Sequence, residues 1–250
     1  MQETPSPPPN QQWQSLFFAT LPPELRTLIY HELARDGPSV VHIMKKSTKQ
    51  IDFVRCRAGK CEMEYNYKCC PLPCASSGTN RPNLPPFLLS CRKGNIEANP
   101  VLYSATIFDF RSFQTYLLAS TLLPPHTFSS ISSIHLKYHF GYRLWWEDPD
   151  NYVKRPWRDP VWNQVWDIIK GMEELRNVIV DIDAYLEYGK LSWETERDLF
   201  ERLGTVKLRS GGERGFVVRV NWDGDGGEGP DEGLGRGTFR LVRGKVAEYW

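Results

Sequence analysis

The sequence has no long hydrophobic run. Its most apolar stretch, around Leu117–Leu123, is far shorter than the ~20 residues that a membrane span needs. The opening MQETPSPPPN shows no basic segment followed by an apolar one, so no signal peptide is expected. An excess of charge is missing as well: Lys and Arg number 31, Asp and Glu 30, and the formal net charge is +1. Such a balance gives no global attraction to nucleic acid or to an anionic membrane. Lys45, Lys46 and Lys49 form a small basic patch, but without interleaved aromatics, which argues further against nucleic acid. These absences point to a soluble intracellular protein, cytoplasmic or nuclear, whose six cysteines stay reduced.

Catalytic signatures are missing too. There is no GxSxG elbow, P-loop, HExxH or GxGxxG after a strand. His135 and His139 alternate with Leu136 and Tyr138 and read as the ordinary polar face of a strand. Asp181 and Asp183 also share one strand face and could pair as acid and base, yet no matching nucleophile or ligand lies near them in sequence. Asp223 and Asp225 mimic the first and third positions of a calcium loop. Gly227, Glu228 and Leu234 then break the pattern at positions five, six and twelve, so the stretch reads as a solvated turn. No catalytic residue and no cofactor is assigned, and an enzyme is not expected.

Cysteine is scarce outside one cluster, in which Cys56, Cys61, Cys69, Cys70 and Cys74 fall within nineteen residues. Structural zinc takes four thiolates or imidazoles, usually supplied as close pairs. The gaps here are CxxxxC, CC and CxxxC, with no CxxC knuckle, so free thiols on a variable loop are expected ahead of a metal site.

What is present suffices for a core, since 40% of the 250 residues are hydrophobic and nine are tryptophan. Residues 1–12 read as a disordered tail. In LPPELRTLIYHEL, Pro22 and Pro23 suit a first helical turn, with Thr20 as N-cap. Leu25, Leu28, Ile29 and Leu33 recur at helical spacing. Val40–Met44 and Ile51–Cys56 predict a β-hairpin, and residues 56–86 a Cys- and Pro-rich surface insertion. A second helix follows Pro86, and Pro100 is expected to break or kink it before a strand at 107–110.

From 111 to 250 the chain has a rhythm. Helical runs at 111–123, 159–175 and 192–203 precede extended runs at 131–140, 177–185 and 215–222. Asp159-Pro160 and Ser192 look like helix starts, and Gly204 like a helix stop. The repetition predicts β-α units on a mostly parallel sheet, with the Val161–Met172 face buried on it. The glycine-rich stretch 223–237 reads as a flexible loop, and residues 239–250 as an edge strand with a tail. Residues 13–110 and 111–250 are expected to form one continuous globular unit.

The run Leu21-Pro22-Pro23-Glu24-Leu25-Arg26, followed by Ile29-Tyr30, resembles the first helix of F-box proteins, and more closely that of a group of uncharacterised fungal F-box-like proteins. Leu88-Leu89-Ser90-Cys91-Arg92, Glu97-Ala98, Pro100, Leu102-Tyr103-Ser104 and Phe108 match the group's second motif in order and spacing. The resemblance implies F-box-like helices with a hairpin, then irregular leucine-rich-repeat-like β-α units. It implies a non-catalytic interaction protein in which Leu21, Pro22, Leu25 and Ile29 meet a Skp1-type adaptor of a ubiquitin ligase, while the C-terminal part recruits a protein target. The alternative is a scaffold without a ubiquitin-ligase role, its first helix spent on its own core. The chain departs from the group at Lys93-Gly94-Asn95. Glycine there costs ~1 kcal/mol of helix propensity and predicts a shorter second helix.

Overall fold

Alternation within the extended runs decides the architecture. Val178, Val180, Ile182 and Ala184 take every second position of one strand and are all buried, as are Ile134, Leu136 and Tyr138 in another. Period-two patterning of this kind buries one face of a sheet against a second layer. A computed structural model describes residues 15–35, 40–55, 92–141, 160–185, 193–209, 215–222 and 238–243. Its strands are β1 (Val40–Ser47), β2 (Gln50–Arg55), β3 (Ile107–Phe110), β4 (Ser133–Gly141), β5 (Asn177–Tyr185), β6 (Phe216–Val220) and β7 (Arg240–Arg243). They form one seven-stranded sheet in the order β2-β1-β3-β4-β5-β6-β7. Only β1 and β2 are antiparallel; every other pair is parallel.

The helices are α1 (Leu16–Thr20), α2 (Pro23–Arg35), α3 (Arg92–Ala105), α4 (Phe113–Leu122), α5 (Pro125–Ser129), α6 (Pro160–Lys170) and α7 (Trp193–Glu201). Phe113 and Tyr116 of α4, Phe128 of α5, Trp162 and Trp166 of α6, and Leu199 and Phe200 of α7 join one core with the buried side of β1 and β3–β6. Four helices thus share one face of the sheet. Aromatic packing dominates there: Trp162 stacks on Phe113 at 5.5 Å and meets Tyr138 edge-on at 4.8 Å. Trp166 lies 6.1 Å from Phe216, which ties α6 to β6. The edge strand β7 is fastened separately. Arg243 donates from both terminal nitrogens to Glu196 of α7 at 2.8 Å, and the Trp222 indole N–H donates to the same carboxylate.

Several local expectations change. Thr20 does not cap α2; it ends α1 and its hydroxyl donates to the Leu16 carbonyl. The α region is disfavoured for a residue that precedes proline, so Leu21 is extended. The Arg26 N–H then donates to the Pro22 carbonyl, which puts Pro22 at the cap position. Pro100 does not end α3, which runs on to Ala105. The proline leaves the Ile96 carbonyl without its helical donor, but Ile96 and Pro100 are both exposed and water can serve it. Gly94 does not shorten the helix either: Gly94 and Ala98, four residues apart, are its buried positions. Gly204 lies in a 3₁₀ turn, Leu203–Thr205, without the left-handed backbone of a glycine stop. Asp159, Ser192, the tail 1–12, the insertion 56–86 and the loop 223–237 fall outside the described residues.

The Trp162–Trp166 face predicts a large penalty for truncation. Trp166 is fully buried and its indole N–H has no hydrogen-bond partner. Trp166→Ala is expected to lower the unfolding free energy by ~3–5 kcal/mol. Trp166→Phe, which removes the unpaired N–H and keeps most of the ring, should cost far less. Urea denaturation followed by far-UV circular dichroism measures both.

Candidate functional site

The first helix pair is mounted in an unexpected way. On α2 the apolar residues face outward: Leu28 is 59% exposed, Leu25 45% and Ile29 38%. The side turned inward carries Arg26 and Tyr30, 5% and 1% exposed, with Leu33 partly buried. Of the other residues assigned to docking, Pro22 is exposed and Leu21 partly buried. Leu16 of α1 is exposed near the start of the same helical region.

Polar contacts hold Arg26 inside. Its Nε and Nη2 donate to the two carboxylate oxygens of Glu97 on α3, at 2.8 and 2.9 Å. Nη1 donates to the Leu21 carbonyl at 2.5 Å, and the Tyr30 hydroxyl donates to Glu97 at 3.1 Å. The Phe18 ring of α1 has the Arg26 guanidinium on it at 5.7 Å and the Lys93 ammonium at 5.2 Å, both within cation–π range. Hydrogen bonding to Glu97 raises the Arg26 pKa. Burial works to raise Glu97, but the bonds from Arg26 and Tyr30 outweigh it and hold the carboxylate below its usual range. Tyr30 and Ala98 form a small core of their own, with Phe17, Val101 and Leu102 packed on it. Arg26 and Glu97 stand in the two motifs that carry the F-box-like resemblance, so these motifs meet in space.

A second polar group sits on the sheet face opposite the helical layer. Parallel register aligns His42 of β1, Asp109 of β3 and His135 of β4 in one row. One row further along, Lys137, Asp181 and Arg219 align on β4, β5 and β6. His42 Nδ1 lies 2.5 Å from Asp109 Oδ2. His135 presents Nδ1 to Asp109 Oδ1 at 2.9 Å, without hydrogen-bond alignment, and Nε2 to Asp181 Oδ2 at 2.8 Å. Arg219 closes the chain on Asp181 at 2.5 and 2.9 Å. Arg111 Nε approaches Asp109 at 3.5 Å.

His135 is therefore not ordinary surface, and Asp181 is not simply solvated. His135 is buried between two carboxylates, and its Nε2 also lies 3.1 Å from Nη2 of Arg219, so the ring sits among two acceptors and one donor. Burial alone pushes the imidazolium toward deprotonation; the contacts with Asp109 and Asp181 outweigh it and raise the pKa. Burial likewise pushes Asp109 and Asp181 up, and the facing His135, with His42 or Arg219, holds both well below the usual range. His139 is mostly exposed and pairs with Asp183 at 3.1 Å. Sequence reading missed Asp109 altogether. Its signal was the single charge in the otherwise apolar run Ile107-Phe108-Asp109-Phe110.

Among the described residues, no group of three or more His, Cys, Asp and Glu is placed to hold a metal ion, and no helix is long and apolar enough to cross a membrane. Cys56, Cys61, Cys69, Cys70 and Cys74 lie outside those residues.

The row predicts stability effects at both ends of the pH range. A raised folded pKa means that His135 stabilises the fold fully below its unfolded value of about 6.5, and that this is lost as pH rises through the folded value. Asp109 and Asp181 contribute above about pH 4, and their share is lost on acidification. Urea denaturation across the alkaline range should show a decline in the wild type that His135→Gln lacks. Asp109→Asn, which leaves two imidazoles without their shared carboxylate, is expected to cost ~3–5 kcal/mol at neutral pH.

No curated protein and no solved structure matches this chain significantly. A family model does match it, over residues 10–240, which takes in every strand of the sheet except the end of β7. The chain belongs to the family described as Domain of unknown function (DUF7730).

Proposed function

We propose that this chain is a non-catalytic protein–protein interaction protein of F-box-like type, which docks a Skp1-type adaptor through α2 and recruits a protein target through its β-α portion. One observation carries the reading: α2 turns Leu25, Leu28 and Ile29 to the outside while Arg26 and Tyr30 occupy its buried side. A helix that served only its own core would do the reverse. Three large apolar residues at i, i+3 and i+4 are the anchors used when a helix enters a hydrophobic groove. Each would contribute ~1.5–3 kcal/mol on full burial.

The rest of the fold is compatible with the leucine-rich-repeat-like part of this reading. Strands β3 to β7 follow one another in chain order, and the helical layer that shares their core lies on one side. Repeat arrays built this way offer their other face to partners. The helical part resembles an F-box in bringing together α1, α2 and α3, although the hairpin and the insertion intervene between α2 and α3 in sequence.

The test is a pull-down of purified full chain with a recombinant Skp1-type adaptor, beside the double variant Leu25→Asp, Ile29→Asp. Both residues are exposed, so the variant should keep the wild-type circular dichroism. Binding that falls by at least ~100-fold in the folded variant is the expected result. Absence of wild-type binding sinks the adaptor reading and leaves the scaffold, with the same stripe serving another protein.

A further inference from the structure

The apolar stripe of α2 and its buried side are not opposite each other. At 3.6 residues per turn, Leu25, Ile29 and Leu28 centre about a third of a turn from the line through Arg26, Tyr30 and Leu33. A roll of about a third of a turn about its axis would carry the stripe of α2 toward α3 and lift Arg26 toward water. Hydrophobic burial favours that roll, because it exchanges a guanidinium for leucine and isoleucine side chains. Tyr30 opposes it, being fully buried against Ala98. The decisive opposition is polar. Arg26 is held in a fork by Glu97 and by the Leu21 carbonyl, and Tyr30 donates to the same Glu97. The fork geometry of guanidinium on carboxylate is satisfied at one rotation of the helix and broken by a third of a turn.

We propose that the Arg26–Glu97–Tyr30 network is a positioning latch: it fixes the rotation of α2 so that Leu25, Leu28 and Ile29 point outward. The latch chooses a face rather than adding stability. A largely buried ion pair gives back much of its Coulombic gain in desolvation, and apolar replacements of similar size often leave a fold as stable or more so. Ala98 fits the same role. A small residue packed against Tyr30 lets α2 come close enough for the side chains of Arg26 and Tyr30 to reach Glu97. That the outward stripe serves a partner rests on the interaction reading above; the rotation itself does not.

The experiment uses the full chain carrying Leu28→Cys, with and without the double replacement Arg26→Met, Glu97→Met. Maleimide labelling of position 28 is followed on its own peptide by mass spectrometry, and binding of the wild-type chain, with Leu28 intact, to a Skp1-type adaptor is measured in parallel. The expected result is a folded double variant, with near-UV circular dichroism and urea midpoint at or above the parent's, whose position 28 labels at least tenfold more slowly. Equal labelling rates in two folded proteins would overturn the latch. An unfolded double variant would overturn it too, since the pair would then supply stability rather than orientation. Slower labelling in the variant, with no adaptor binding by the wild-type chain, would leave the latch standing and remove the adaptor reading alone.

Discussion

The fold depends on one asymmetry: the sheet has a single apolar face, and every tryptophan and phenylalanine of the main core is on that side. Phe110, Leu136, Val180 and Val218 supply the sheet's share, and Trp162 and Trp166 of α6 close over it. A parallel sheet wound on both sides would need strands apolar at every position. Here the alternate positions include His42, Asp109, His135, Asp181 and Arg219, which pair with one another across the strands. Among the described residues, α4 to α7 share the layer over the apolar face. Successive strands then lie side by side in chain order, because a crossover that always returns on the same side advances the sheet by one place each time.

The same asymmetry explains what could be read in the sequence. The strands at 107–110, 131–140, 177–185 and 215–222 and the face of α6 announce themselves by strict period two and by period 3.6, and the structure has them all. Those are local signals tied to burial. The charged row was not legible, because it is made across strands. His135 and Asp181 each sit at a polar position of an alternating run, where a solvated residue and a buried, paired one look alike. Only register brings Asp109 beside His135, and register comes from the sheet as a whole. Pro100 misled for a related reason. The helix runs on through Pro100, and the hydrogen bond lost at the exposed Ile96 carbonyl can be replaced by water.

Two polar networks hold this protein and they differ in kind. The row on the sheet runs across several strands, from imidazole to carboxylate to imidazole to carboxylate to guanidinium. Each member pairs with its neighbours, so the row ties adjacent strands together at the register that the sheet as a whole sets. The Arg26–Glu97 pair joins only two helices, 71 residues apart in sequence, beside the small core of Tyr30 and Ala98. Breaking one member of the row disturbs the sheet at its centre. Exchanging the helix pair for apolar side chains disturbs only which side of α2 faces out.

That difference separates architecture from use. A sheet whose charges are internally satisfied needs nothing from outside to be stable. A helix that turns leucine and isoleucine to water while keeping arginine inside is not at its own hydrophobic optimum. Exposed apolar residues are unremarkable one at a time, but Leu25, Leu28 and Ile29 are contiguous on one helix, and the inner side of that helix is held by directional bonds. Nothing in the stability of the sheet requires this arrangement, since the Tyr30 cluster is separate from the main core. On the interaction reading proposed above, an apolar groove on a partner protein is the surface that would satisfy this arrangement.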